Sequence, residues 1–583
     1  MILHALYQLY DRLSLDPAYD IAPAGYSSQN ITFAVLLSPE GELLQFVDEQ
    51  IEQPLTTAGG KITWVRKARQ LIVPGQAKAT GKGINPGFLW DNARYMLGHD
   101  SKGDNPARVR DAFAAFRAKH LQWHNEIDDP AYRALCRFLH DWQPQRLSEW
   151  PPLPVMENGF GVFRLQGDAD YLHQRPAIRR WWEQFHRTTP EARTTGCCLI
   201  TGQPEQAIAR IHEPKIKGVR HAQSTGALLV SFNSPAFLSY GKEQSHNAPV
   251  AELAAFRYCT ALNALLHGPR RQHHSIPLAC GTLLFWCGRA GNSETALTQL
   301  FAESGEEASK APPWLLESLR HGTPLPVEEA DNPLHLLLLS ANAGRIAVRY
   351  WLQTTVGQFV ARLHAHYQDL RLERPGHDKN RAFLSIKALL RETAAQGDFN
   401  NVSPLLEGAI VQAIAEGTPY PHAMATALLR RVRSAQPIYF QRAALLKAWL
   451  SRLPDRKGEM LTVSLDPTRP DPAYRLGRLL AVLEKTQADA LPEMAVSLRD
   501  RCYGAASLQP GLHFPRLLRL YHRHLPKLLP NLRAQRQQLL AEILQPLAQM
   551  PARLSLEEQA LFAIGYYHQR LALFSGKAAA CAA

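Results

Sequence analysis

The stretch at residues 471–487 reads DPAYRLGRLLAVLEKTQ and predicts an amphipathic helix. Asp471 can cap its first turn, and Pro472 then falls at the first helical position, where a missing N–H does no harm. Apolar side chains recur at helical spacing, as an apolar face requires: Leu476, Leu479, Leu480, Val482 and Leu483. Three cations share a flank of the same helix: Arg475, Arg478 and Lys485.

A second stretch repeats this pattern at residues 515–529, which read PRLLRLYHRHLPKLL. Its cations again fall at helical spacing: Arg516, Arg519, Arg523 and Lys527. Two amphipathic helices with basic stripes favour a helical bundle that lies on a polyanion. The alternative is that both stripes are solvated charged faces without a ligand.

Length and composition set the broad class of the protein. A chain of 583 residues exceeds the size of a single core, so we expect several domains. The formal net charge of +13 favours a polyanionic partner through counterion release. No apolar run is long enough to span a membrane, and the eight cysteines contain no CxxC pair. We therefore expect a cytoplasmic protein whose cysteines are small core residues in a reducing compartment.

The N-terminal region combines a predicted β-hairpin, at residues 31–37 and 43–47, with a glycine-rich loop at residues 73–92. This loop reads VPGQAKATGKGINPGFLWDN but fails as an ATP-binding loop, because Gly75 and Gly81 enclose five residues and Lys82 is followed by glycine. Instead, three of its side chains can enter a nucleic-acid groove: Lys78, Lys82 and Asn85. The alternative is an ordinary surface turn.

A second basic segment, at residues 211–226, reads IHEPKIKGVRHAQSTG. Basic and short polar side chains of this kind suit contacts to phosphate and sugar, and the candidates are Lys215, Lys217, Arg220, Gln223 and Ser224. The alternative is a solvated loop. Apolar runs at residues 197–201 and 227–232 predict strands on either side of it.

The C-terminal half is predicted to be almost entirely helical. Residues 344–372 have the pattern of one long amphipathic helix, and Ser555 with Glu558 forms a capping box at the last helix. The fold class is therefore α+β, with mixed N-terminal and central domains that carry short antiparallel sheets, followed by a mostly α-helical half. We place the domains at residues 1–110, 111–333, 334–459 and 460–583.

No catalytic motif is present in the sequence, and the adjacent pairs Cys197–Cys198 and His273–His274 are poorly spaced for one metal ion. We therefore expect a protein without catalytic activity, metal or cofactor. The alternatives are a nuclease whose acidic residues converge only in the fold, and a structural scaffold of a ribonucleoprotein.

Several stretches, in order along most of the chain, resemble the large subunit of the type I-C CRISPR interference complex, or Cascade. They are the loop at residues 81–92, IHEPKIKGVRHAQSTGALLVSFNSPAFLSYG at 211–241, SLDPTRPDPAYRLGRLLAVLEKTQ at 464–487, FPRLLRLYHRHL at 514–525 and LSLEEQALFAIGYYHQR at 554–570.

This resemblance implies a subunit that recognises a short protospacer-adjacent motif in double-stranded DNA, while the guide RNA reads the target by base pairing. The subunit would promote strand separation and R-loop formation, hold the displaced strand and recruit a helicase–nuclease. The other implied partners are the backbone subunit, the RNA-processing subunit and small subunits translated internally from a start at Met460.

The resemblance also gives the candidate residues their expected roles. Lys78, Lys82 and Asn85 would read the adjacent motif, because lysine and asparagine can meet base edges. The residues of segment 211–226 would contact the DNA backbone or neighbouring subunits. The two basic stripes would form a track for the displaced strand.

Overall fold

The computed structural model describes most of the chain. The described residues are 1–56, 62–76, 78, 83–100, 105–150, 154–157, 159–188, 194–301, 311–375, 386–434, 438–456, 461–494 and 496–580. They form two compact units: residues 1–218, 222–270 and 343–345 in the first, and residues 219–221, 271–342 and 346–583 in the second. The structure is 51% helical and 17% strand, which confirms the predicted α+β class with a helical C-terminal half.

The first unit is built on a mixed sheet in the order β2–β1–β7–β6, with β5 also pairing with β1. Its strands are β1 (Tyr26–Leu37), β2 (Leu43–Asp48), β5 (Arg69–Pro74), β6 (Trp90–Asn92) and β7 (Phe160–Leu165). The predicted hairpin is confirmed, because β1 and β2 pair antiparallel with Ala34 opposite Val47. β7 pairs parallel with β1, so this unit continues past the predicted boundary at residue 110.

The other strands of the first unit are short. They are β3 (Ile51–Thr56), β4 (Ile62–Lys67), β8 (Thr195–Gly196) and β9 (Gln206–Ala207). The predicted strands at residues 197–201 and 227–232 are wrong. Residues 198–202 close a turn through the Gly202 N–H and the Cys198 carbonyl oxygen, and residues 227 and 228 form only isolated bridges.

The first unit also contains helices, and the first and the sixth of them pack against each other. They are α1 (Ile2–Ser14), α2 (Ala93–Met96), α3 (Pro106–Leu121), α4 (Pro130–Asp141), α5 (Pro176–Thr188) and α6 (Glu252–His267). Helix α4 shows why they begin where they do: the Asp129 carboxylate accepts the N–H groups of Ala131 and Tyr132, and Pro130 occupies the first position.

The second unit begins with a sheet in the order β10–β11–β12–β13. Its strands are β10 (Ser275–Leu278), β11 (Gly281–Cys287), β12 (Pro333–Asn342) and β13 (Arg345–Thr355). The predicted helix at residues 344–372 is therefore wrong over its first half, and only its second half is helical. The sequence of β13, RIAVRYWLQTT, is rich in β-branched and aromatic residues, which fit a pleated sheet next to β12.

The rest of the second unit is helical. Its helices are α7 (Ser293–Phe301), α8 (Pro313–His321), α9 (Val327–Ala330), α10 (Val356–Asp369), α11 (Ile386–Arg391), α12 (Pro404–Glu416), α13 (His422–Arg433), α14 (Phe440–Ser451), α15 (Pro472–Ala490), α16 (Leu498–Leu508), α17 (Pro510–His524), α18 (Pro530–Leu544) and α19 (Leu556–Ala580). The capping box is confirmed, because Ser555 N–H donates to Glu558 (2.7 Å) and Glu558 N–H donates to Ser555 Oγ (3.2 Å).

Helix α15 confirms the predicted helix at residues 471–487, with one difference at its start. The Asp471 side chain does not cap it and instead pairs with Arg469 at 2.7 Å. Every residue from Ala473 to Gln487 is buried, so the helix is enclosed on all sides. No helix within the described ranges is long and apolar enough to cross a membrane.

Candidate nucleic-acid interface

Lys78 of the glycine-rich loop is folded back onto the first unit. Its ammonium lies 2.5 Å from Asp91 Oδ2 and 4.0 Å from the centre of the Tyr95 ring, and it also donates to the Asn85 carbonyl oxygen. Asp91 is fully buried. Burial lowers the pKa of Lys78 and raises the pKa of Asp91, although each charge attracts the other. The Lys78–Asp91 pair therefore anchors the loop, and the Lys78 ammonium is already engaged within the protein.

The loop that follows is fixed by side chains that the sequence did not single out. The Asp91 carboxylate accepts the Gly87 N–H (2.8 Å), and Lys119 donates to the Pro86 carbonyl oxygen (2.7 Å). His120 Nε2 accepts the Leu89 N–H at 3.0 Å, which requires a neutral ring, and burial lowers the pKa of His120 to about 3. Asp91 lies in β6, and Lys119 and His120 lie in α3. No sequence motif predicts that these side chains contact the loop.

Two of the three side chains predicted to read the motif lie in different surroundings. Lys78 pairs with Asp91, whereas Asn85 is exposed, and its contacts are made by its backbone: the N–H with the Tyr95 hydroxyl at 3.2 Å and the carbonyl oxygen with Lys78. Lys82 lies outside the described residues. Burial, with a contribution from the Lys78 charge, lowers the pKa of neighbouring Lys119 to about 8.

The basic segment at residues 211–226 is held by helix α6. Asn263 accepts the Lys217 N–H at 2.9 Å and donates to the Lys215 carbonyl oxygen at 3.0 Å. These hydrogen bonds fix the backbone of both lysines. They do not involve the lysine ammonium groups. Gln223 and Ser224 are exposed, as a ligand-binding role would require.

Arg220 is placed differently from the other residues of this segment. It belongs to the second unit, where its N–H donates to Thr282 Oγ1 (3.2 Å) and its guanidinium donates to the Leu278 carbonyl oxygen (2.8 Å). The half-buried Arg220 thus attaches its own segment to the β10–β11 hairpin. This structural contact makes Arg220 the weakest DNA-binding candidate of the segment.

A cavity of about 470 Å³ in the first unit brings two predicted sites together. Lys78 lines it from the glycine-rich loop, and Lys215 and Lys217 line it from the basic segment. This convergence could not be predicted, since more than a hundred residues separate the two stretches.

The predicted surface stripe on helix α15 is wrong. Arg475, Arg478 and Lys485 are each no more than 5% exposed. Arg478 donates to Gln569 Oε1 (3.0 Å), the Pro467 carbonyl oxygen (3.0 Å) and Glu542 (2.7 Å). A guanidinium engaged in this way ties helices α15, α18 and α19 together.

The other two cations of α15 are engaged in the same way. Arg475 donates to the Thr468 carbonyl oxygen at 3.2 Å, and Lys485 pairs with Asp489 one turn along the helix. Arg536 also approaches Asp489, at 3.3 Å. The Arg536–Asp489 pair joins α18 to α15, whereas the hydrogen bond of Arg475 and the ion pair of Lys485 are local, and both of these side chains are buried.

The second predicted stripe is on the surface. Its four members lie along α17 and the turn after it, and all are exposed: Arg516, Arg519, Arg523 and Lys527. We call these four residues the α17 row. Among the described residues, none of them has an acidic partner within 4.0 Å, so their charges remain available.

Arg501 of helix α16 lies near one end of the α17 row. Burial lowers the pKa of His524, and the charges of Lys527 and Arg501 lower it further, which places all three groups close together. Because Arg501 is a single arginine in α16 and not part of a repeating pattern, the sequence did not predict that it lies beside the α17 row.

Among the residues that the structure describes, no group of three or more His, Cys, Asp or Glu side chains is arranged to hold a metal ion. The expectation that the chain is not an enzyme stays a prediction.

Comparisons with known proteins agree with the resemblance at the level of the family. No curated protein matched the chain. The model of the Cas_Csd1 family, described as CRISPR-associated protein, matches residues 6–574. Because this match covers nearly the whole sequence, the chain belongs to the Cas_Csd1 family of CRISPR-associated proteins.

Proposed function

We propose that the chain is the non-catalytic large subunit of a type I-C CRISPR surveillance complex that binds DNA. The observation that carries this proposal is the α17 row, four exposed cations at helical spacing without acidic partners among the described residues. Membership of a CRISPR-associated family supplies the context in which such a row would meet nucleic acid.

The α17 row suits the phosphates of a displaced single strand. Its spacing along one helix presents a line of positive charge, and such lines bind the nucleic-acid backbone without reading sequence. The opposite face of α17 is fixed in the bundle by Phe514, Leu517 and Tyr521, which are buried. The row therefore has a rigid support, and binding a strand requires no unfolding of the helix.

Recognition of the adjacent motif is proposed for the glycine-rich loop of the first unit. Asn85 is exposed, and asparagine can form two hydrogen bonds with the edge of an adenine. Lys78 acts in this proposal as a positioning residue, because its ammonium holds the Asn85 carbonyl oxygen and Asp91. Lys82 is proposed as the second residue that contacts bases, as predicted from the sequence.

The remaining functions are proposed from the resemblance. They are promotion of R-loop formation, contact with the guide RNA and with the backbone and RNA-processing subunits, and recruitment of the helicase–nuclease. The bundle from α15 to α19 would correspond to the small subunit of the complex. The proposed internal start, Met460, lies outside the described residues.

Capture of duplex DNA by the reconstituted complex tests the proposed function. We expect Lys78→Ala/Lys82→Ala to weaken binding of a duplex with the adjacent motif by tenfold or more, since a good base contact contributes about 1–3 kcal/mol. Binding of a duplex without the motif should stay unchanged, and the exposed Lys242→Ala variant serves as the matched control.

The comparison of the two duplexes separates the possible explanations. Loss of binding only to the duplex with the motif supports the loop as its reader. If the double variant binds each of the two duplexes as tightly as the wild type does, the loop does not belong to the interface. Loss of assembly in the double variant would favour a scaffold role instead.

A further inference from the structure

The cavity of the first unit has walls of two chemical kinds. Aromatic rings line it at Tyr19, Phe160 and Phe256, and amide side chains line it at Gln29, Gln70 and Gln76. Aromatic faces stack on nucleobases, and amides offer both a donor and an acceptor to base edges. Its volume of about 470 Å³ falls within the range of small-molecule sites.

One residue that lines the cavity carries a buried hydroxyl group without a hydrogen-bond partner among the described residues. Thr260 lines the cavity from helix α6 and is 9% exposed, and its hydroxyl forms no hydrogen bond with any described residue. Buried hydroxyl groups are normally satisfied, because an unmade hydrogen bond costs about 1–3 kcal/mol. Thr260 therefore places an unsatisfied hydroxyl group in the helix that forms one wall of the cavity.

The charges around the cavity indicate what kind of ligand this is. Lys215 and Lys217 supply cations, and the exposed Lys217 is accessible to a phosphate. The carboxyl groups of Asp20 and Glu213 also line the cavity. Carboxylates accept hydrogen bonds from the exocyclic amino groups of nucleobases. A ligand that pairs with both the lysines and the carboxyl groups combines a phosphate with an amino-bearing base.

We propose that this cavity binds one unpaired nucleotide, with an amino-bearing base between the aromatic and amide walls and the phosphate against Lys215 and Lys217. The inference rests on the proposed function, in which strand separation supplies unpaired nucleotides. The same chemistry would also accept a free nucleotide, so the test must distinguish the two sources.

The test compares binding of the full chain to two short thymidine strands. One strand carries a single 2-aminopurine nucleotide, and the other has an abasic site at that position. We expect the wild type to prefer the 2-aminopurine strand about tenfold, with a saturable change in fluorescence, since stacking of one base contributes about 1–3 kcal/mol.

Two variants of helix α6 should abolish this preference by different means. Thr260→Val removes the unsatisfied hydroxyl at nearly constant volume, and Ala264→Leu fills part of the cavity, which Ala264 also lines. Binding of the abasic strand should stay at the wild-type level in both variants. Lys242→Ala, an exposed lysine that does not line the cavity, should keep the full preference.

The outcomes distinguish this inference from the proposed function. Equal and tight binding of both strands by the wild type, or a full preference in both α6 variants, overturns the nucleotide site and leaves DNA binding intact. Failure to bind either strand overturns both proposals. Free 2-aminopurine deoxynucleoside monophosphate is the final probe: affinity equal to that of the strand supports the site and assigns it to a diffusible nucleotide.

Discussion

The Gly477→Ala variant is expected to destabilise the second unit by about 3 kcal/mol, at the upper end of overpacking effects. A Cβ atom at Gly477 would lie 2.0 Å from the Phe562 carbonyl oxygen and 2.8 Å from the Tyr566 nitrogen. The contact is reciprocal, because a Cβ at Gly565 would lie 2.1 Å from the Tyr474 carbonyl oxygen. Two glycines thus let the backbones of α15 and α19 meet, and a methyl group forces them apart.

Helix α16 offers a matched control for this prediction. A Cβ at Gly504 would find its nearest atom 3.6 Å away, so alanine fits there without displacement. Because alanine is also the better helix former, Gly504→Ala should stabilise its helix by up to about 1 kcal/mol. Hydrogen exchange measures both effects locally, through the amides of α15 and α19 for Gly477→Ala and through those of α16 for Gly504→Ala. Wild-type protection in Gly477→Ala would show that the two helices do not cross at these glycines.

The Asp91→Ala variant is expected to destabilise the first unit by about 3 kcal/mol. Asp91 is fully buried and accepts hydrogen bonds from Gly87, Asn92 and Lys78. Removing it leaves the Lys78 cation without its partner in a partly buried place, and breaking a buried pair costs about 3–5 kcal/mol. The lower end applies here because the Lys78 side chain keeps 19% exposure.

The matched control is an aspartate that pairs with a cation on the surface. Asp128 lies 2.6 Å from Arg133, but its side chain is 95% exposed, so Asp128→Ala should cost well under 1 kcal/mol. Urea unfolding followed by hydrogen exchange of the amides of the first unit compares the two variants. Equal midpoints would contradict the role of Asp91 as the anchor of the glycine-rich loop.

The two basic stripes show how far sequence reasoning could go. In α17 the buried residues Phe514, Leu517 and Tyr521 define one apolar face, so the cations lie on the opposite, exposed face. In α15 apolar residues occupy several sides of the helix, which is typical of an enclosed helix. That signal was present in the sequence, but the partners of Arg478 lie 64 and 91 residues away and could not be foreseen.

The predicted helix at residues 344–372 was wrong over its first half for a similar reason. Residues 345–355 alternate in a way that also fits one face of a helix, and only pairing beside β12 selects the strand. Lys78 carries the expected charge in the glycine-rich loop, but its conformation is decided by Asp91, in β6 at the end of the same stretch, and by Lys119 of α3. Local patterns predicted which residues are basic, and tertiary packing decided which of them remain exposed.

The most direct test of DNA binding by the α17 row is the salt dependence of single-strand binding by the full chain. Each cation that neutralises a phosphate contributes about 0.7 to the slope of log K against log salt concentration. We expect Arg519→Ala/Arg523→Ala to reduce the slope by about 1.4, while Arg430→Ala, an exposed arginine of α13, leaves it unchanged. A double variant with the slope of the wild type would contradict the assignment of this surface to the strand.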